Sequence, residues 1–181
     1  VVNTADLPAD SLFVPALSEK VHEAKMAHRL IDWNEVFQRH RVVLIGENHL
    51  NVTVKREIVK ALTNIPNLTH VALEPGFSDK RLRKQYPHFD KLMSLYDPII
   101  EKCKRQKIET ISIDIPHALK ERLRGKLAAS FDHASTPRGE NQIELRIMGI
   151  RNSHMASKIA SVVQNQPNSR ILVLVGQAHI D

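Results

Sequence analysis

Four short runs of β-branched and aliphatic residues, at 41–45 (RVVLI), 70–73 (HVAL), 108–113 (IETISI) and 170–175 (RILVLV), constrain this chain more than any other feature. A strand with one face in water alternates apolar and polar side chains, whereas a run such as ILVLV is apolar on both faces and suits a sheet covered on both sides. Each interval between runs is long enough for a helix, as a parallel crossover requires. The pattern predicts an α/β fold: a parallel central sheet with helical crossovers and a ligand cleft at the carboxyl ends of the strands. Helical spacing recurs at Leu30, Trp33, Val36 and Phe37 before the first run, and at Val54, Ile58, Val59, Ala61 and Leu62 after it. A third helix is predicted over 89–104 and a long one over 142–164, the latter following a Ser/Thr/Pro/Gly-rich loop at 132–140.

A length of 181 residues fits a single domain, read as an N-terminal helical segment over 1–40 and an α/β core over 41–181. The last run stops six residues before Asp181, so the core reads as cut short at its C-terminal end. The chain opens on Val1 without a signal peptide, which reads as a processed or trimmed form and leaves the compartment open. With 42% hydrophobic and 25% charged residues the composition is that of a globular protein, and no apolar run approaches the roughly 20 residues of a transmembrane segment. The single Cys103 rules out an internal disulfide and a thiolate zinc cluster, leaving any metal to the ten histidines and the carboxylates. The net charge of +6 comes largely from separate basic clusters at 80–84, 102–107 and 120–126. Aromatic residues are only 4% of the chain, too few for base-stacking platforms, so these clusters read as solvated helix surfaces and no nucleic acid is expected. Nothing in the sequence sets an oligomeric state.

In open parallel sheets the ligand sits beyond the carboxyl ends of the strands, which makes the residues just after each run the informative ones. The first run leads into Gly46-Glu47-Asn48-His49, the second into Glu74-Pro75-Gly76, the third into Asp114 and the fourth into Gly176-Gln177-Ala178-His179. Carboxylates and imidazoles gathered on one edge suit either of two chemistries. With a divalent metal (zinc, manganese, cobalt or iron) they form a ligand set that activates water. Without one they supply general acids and bases. Arg151 falls near the centre of the apolar arc of the long helix, formed by Ile143, Ile147, Ile150, Met155, Ile159 and Val162. A guanidinium there is placed for a strand-end carboxylate, an anionic substrate group or a developing oxyanion, unless it forms a polar stripe with Glu144 and Lys158.

The ordered set GENH, ALEP, Asp114, RNSHMASKIA and LVGQAH resembles the superfamily that contains erythromycin esterases, the ChaN haem-binding lipoproteins and the TraB/TIKI metalloproteases, over residues 42–179. The resemblance implies that Glu47, His49, Glu74, Arg151 and His179 face one catalytic pocket, with His49, His179, Glu47 and Glu74 as ligands of a divalent metal. It implies a hydrolase of the TraB/TIKI or erythromycin-esterase kind, acting on a peptide or ester substrate. Its alternatives are a ChaN-like carrier of haem or iron, and a toxin or effector domain that uses the scaffold without catalysis. Two departures stand out. Ser153 occupies the place where erythromycin esterases tend to carry Asp, and Tyr86 and Tyr96 are the two tyrosines available as haem ligands.

Overall fold

The computed structural model describes residues 11–13, 31–74, 87–130 and 136–180. Five parallel strands form one sheet: β1 (Ser11–Phe13), β2 (Val42–Glu47), β3 (His70–Leu73), β4 (Glu109–Ser112) and β5 (Ile171–Gly176), in the spatial order β1-β2-β5-β3-β4. The helices between them are α1 (Trp33–Arg39), α2 (Val52–Ala61), α3 (Pro87–Ser94), α4 (Asp97–Gln106), α5 (His117–Ser130) and α6 (Pro137–Asn165). A short 3₁₀ turn, Gln177–His179, follows β5. The fold is therefore α/β with an all-parallel sheet. The segment 1–40, expected to be helical, contributes strand β1 as well as α1. A three-residue strand is too short to show a period-2 pattern in sequence.

Alternation along the central strands divides the core in two. Val43, Ile45, Leu172 and Leu174 point to one face, where Phe37, Ile58, Leu62, Ile99 and Cys103 of α1, α2 and α4 cover them. Val42, Ile171, Val173 and Val175 point to the other and meet Met155, Ile159 and Val163 of α6. All six residues of β5 are buried, as a central strand with helices on both faces demands.

Local chemistry explains the helix ends. The Asp32 carboxylate accepts from the amides of Asn34 and Glu35 at the start of α1, and Asn51 Oδ1 accepts from the Val54 amide at the start of α2. The long helix starts at Pro137, five residues earlier than its apolar pattern suggests, because Thr136 caps the Gly139 amide and Pro137 suits the first turn. The rest of the loop ahead of it, like the basic cluster at 80–84, lies outside the described residues. The helix expected over 89–104 is two helices. Pro98 has no N–H to donate and its ring would clash with the carbonyl four residues back, so α4 starts afresh at Asp97 and leaves Tyr96 at the junction.

Strand β4 has a free edge among the described residues. Glu109 and Ile113 donate their amides towards β3, so Ser112 points its carbonyl outward, where Lys158 Nζ of α6 donates to it at 2.9 Å. A lysine on an open edge discourages pairing with a foreign strand.

Candidate functional site

The parallel register brings the strand ends level. Glu47 of β2 stands opposite Gly176 of β5, and Leu73, the last residue of β3, stands opposite Leu174 and Ser112. Residues that leave the strands at this level, Glu47, His49, Glu74, Asp114 and His179, meet on the carboxyl edge, and Arg151 reaches them from α6.

Glu74 is the hub. Its Oε1 lies 2.6 Å from Arg151 Nη2 and 3.0 Å from His179 Nε2; its Oε2 accepts the Gly176 amide and lies 3.4 Å from His49 Nε2. Burial pushes its carboxyl up, but the hydrogen bonds from His179 and His49, the charge of His179 and the Gly176 amide outweigh that and hold it far below the usual range. Gly176 is required by contact: a Cβ there would sit 2.9 Å from His49 Nε2 and 3.1 Å from Glu74 Oε2. At Gly46 the missing side chain makes room for Gln177 and Ile180 against the backbone.

Glu47 sits deeper, at 1% exposure. Lys55 Nζ donates to its Oε2 at 2.6 Å and to the His49 carbonyl at 2.7 Å, while the Tyr96 hydroxyl donates to Oε1. Burial raises this carboxyl, yet the bonds from His49, Lys55 and Tyr96 and the Lys55 charge leave it below its ordinary value. The same ammonium lies 4.5 Å from the centre of the Tyr96 ring, a cation–π contact.

His49 bridges the two carboxylates. Its Nδ1 is 3.2 Å from Glu47 Oε1 and 2.7 Å from the Tyr96 oxygen. Hydrogen bonds to Glu47 and then Glu74 raise its pKa to about 9 against the opposing effect of burial, which makes it a cation at neutral pH. Its side chain keeps 30% of its surface exposed, whereas that of His179 keeps 4%. His179 is fixed from behind by Asn152 Oδ1, on the same helix as Arg151.

Arg151 does not belong to a polar stripe. It is 9% exposed and grips Asp114 through Nε at 2.9 Å and Nη2 at 2.7 Å as well as reaching Glu74. Burial works against its charge, but Asp114 and Glu74 more than restore it. Glu144 pairs instead with Arg124 of α5, and Lys158 with the β4 edge. Asp114 also accepts the amide of its neighbour Ile115.

All five candidate residues and Asp114 are thus brought together, and three more join them. Lys55 is 3% exposed and lies on the apolar face that carries Ile58 and Leu62, the same anomaly that singled out Arg151. The sequence names Tyr96 only as a tyrosine available to haem; its place beside Glu47 follows from the helix break ahead of Pro98. Asn152 is visible only as the neighbour of Arg151.

The donor set decides how a cofactor fits. Among the described residues no group of three or more His, Cys, Asp or Glu side chains is arranged to hold a metal ion. His49 and His179 approach different oxygens of Glu74, and Arg151 and Lys55 already neutralise Glu74 and Glu47. To share one ion, the four expected ligands would have to release these cations. As a haem ligand Tyr96 is ill suited, since its hydroxyl is committed to Glu47 and the residue is fully buried. Tyr86 lies outside the described residues.

No protein-family model and no curated protein matches this chain. A solved structure does: the type III effector HopBA1 superposes with a TM-score of 0.53 at 16% identity, covering 78% of this chain and 69% of that one. At that identity the likeness is one of fold. Among the described residues no helix is long and apolar enough to cross a membrane.

Proposed function

We propose that this chain is a toxin- or effector-type domain that acts through the Glu74 cluster. The likeness to a type III effector supports the first half of that reading. The second half is carried by one observation: three anions (Glu47, Glu74, Asp114) and three cations (Lys55, Arg151, His49) interlock at the strand ends. A buried charge network costs desolvation that apolar packing would avoid, and such networks gather where a chain does chemistry. Inducible expression in yeast tests it. The wild type should slow growth, and Glu74→Gln at equal abundance and unchanged circular dichroism should restore it. Equal growth with both proteins would refute the reading.

A hydrolytic step fits the same site, favoured by the exposed, protonated His49. Held between Glu47 and Glu74, His49 is placed to give its Nε2 proton to the leaving oxygen or nitrogen of an ester or peptide bond. Arg151 holds Glu74 in place, Glu74 with His179 orients the attacking water, and the proton that water loses on attack restores the His49 imidazolium. The resemblance noted from sequence implies a divalent metal held by these side chains; acid–base use fits their present arrangement better, because the carboxylate oxygens already face cations. Ester and peptide cleavage should therefore survive chelator, and added haem should give no Soret band. Cleavage that needs zinc, manganese or cobalt would overturn the acid–base form of the reading.

A further inference from the structure

The turn that carries His49 also holds two apolar side chains out in water. Leu50 is 72% exposed and Val52 42%. Scattered exposed leucines are ordinary; these two follow by one and three residues the site imidazole that keeps 30% of its surface exposed, on a turn that is pinned. Asn48 Oδ1 accepts the Leu50 amide at 3.0 Å, the Asn48 carbonyl accepts the Asn51 amide at 2.8 Å, Asn51 Oδ1 accepts the Val54 amide at 3.2 Å, and Lys55 holds the His49 carbonyl from below. A turn fixed at four points cannot fold Leu50 inward.

From this turn we infer that Leu50 and Val52 form an apolar subsite beside His49, and that the substrate is an ester or amide whose acyl or side-chain portion is aliphatic. The inference rests on the hydrolytic reading for its chemistry, but the subsite itself is testable without turnover. Removing an aliphatic chain from water favours binding in proportion to the area covered, and a rim site covers only part of it, so the gain from a two-carbon to an eight-carbon chain should be about tenfold.

The test uses octanamide and acetamide as probes of the ¹⁵N-labelled chain, and p-nitrophenyl octanoate and acetate as substrates. Octanamide should shift the amides of His49, Leu50 and Val52, acetamide should not, and Leu50→Ser with Val52→Ser should abolish the shift. Leu145→Ser, at an apolar position on α6 exposed to an extent between those of Leu50 and Val52, should leave it intact. If esters are cleaved, the octanoate should be preferred about tenfold, and the double substitution should erase that preference while sparing the acetate. Octanamide binding without any cleavage keeps the subsite and removes the hydrolase. Absence of an octanamide shift at this turn, or a shift that survives the double substitution, overturns the inference.

Discussion

Lys55→Met should be among the most damaging single changes in this protein. Its side chain is 4% exposed and its partner, the Glu47 side chain, 0%. Methionine keeps most of the aliphatic volume, so the loss isolates the ammonium: the 2.6 Å pair with Glu47, the 2.7 Å bond to the His49 carbonyl and the contact over the Tyr96 ring. Stranding one member of a buried ion pair costs about 3–5 kcal/mol, here because Glu47 Oε2 would face neither water nor a cation while Tyr96 and His49 reach only Oε1. For a chain of this size each kcal/mol lowers the melting midpoint by about 2–4 °C, which gives a fall of about 6–20 °C. The companion change decides the cause. In Glu47→Gln/Lys55→Met the stranded charge is gone while the amide still accepts from Tyr96, so the double variant should recover about 2 kcal/mol or more relative to the sum of the single losses. Urea denaturation at pH 7, followed by circular dichroism, measures all four corners of the cycle. A Lys55→Met loss under about 1 kcal/mol, or strict additivity in the double variant, would show that the pair is not what holds Glu47 in the interior.

His49 should make stability fall in alkali. Its pKa is raised to about 9 in the fold, so its contribution is complete below the unfolded value of about 6.5 and is lost as pH rises through 9; urea midpoints from pH 6 to 10 should decline for the wild type and flatten in His49→Gln. Arg151→Lys keeps the charge but loses the fork that reaches Asp114 and Glu74 together, and leaving one carboxylate under-bonded should cost about 1–3 kcal/mol, read as a lower urea midpoint at unchanged slope.

Three of the strands, β2, β3 and β5, were legible because burial on both faces forces a nearly continuous apolar run, and the half-exposed β4 through its β-branched residues; the observed bounds of all four differ from the expected ones by two residues at most. Their order was not. Placing β5 between β2 and β3 depends on pairings about a hundred residues or more apart in sequence, which no local pattern encodes. The site was legible where chemistry follows a strand directly, as at Glu47, His49, Glu74, Asp114 and His179, because a parallel sheet puts all such exits on one edge. It was illegible where a residue arrives from a helix: a lysine among apolar neighbours looks like any surface lysine until its carboxylate is located. Tyr96 depended on a helix break that only the weight given to Pro98 would have revealed.

The position of β5 also sets a schedule for assembly. β2 and β3 never touch as ladder partners; each pairs with β5 and with one outer strand. During synthesis the chain can therefore make two separate half-sheets, β1 with β2 and β3 with β4, each with an exposed apolar edge awaiting residues 171–176. Until those six residues emerge there is no common edge, and neither Glu74 nor His49 has the Gly176 backbone between them. The charged cluster thus forms only once β5 has been made, in the same event that closes the sheet, and a nascent chain halted before β5 holds two open half-sheet edges without it.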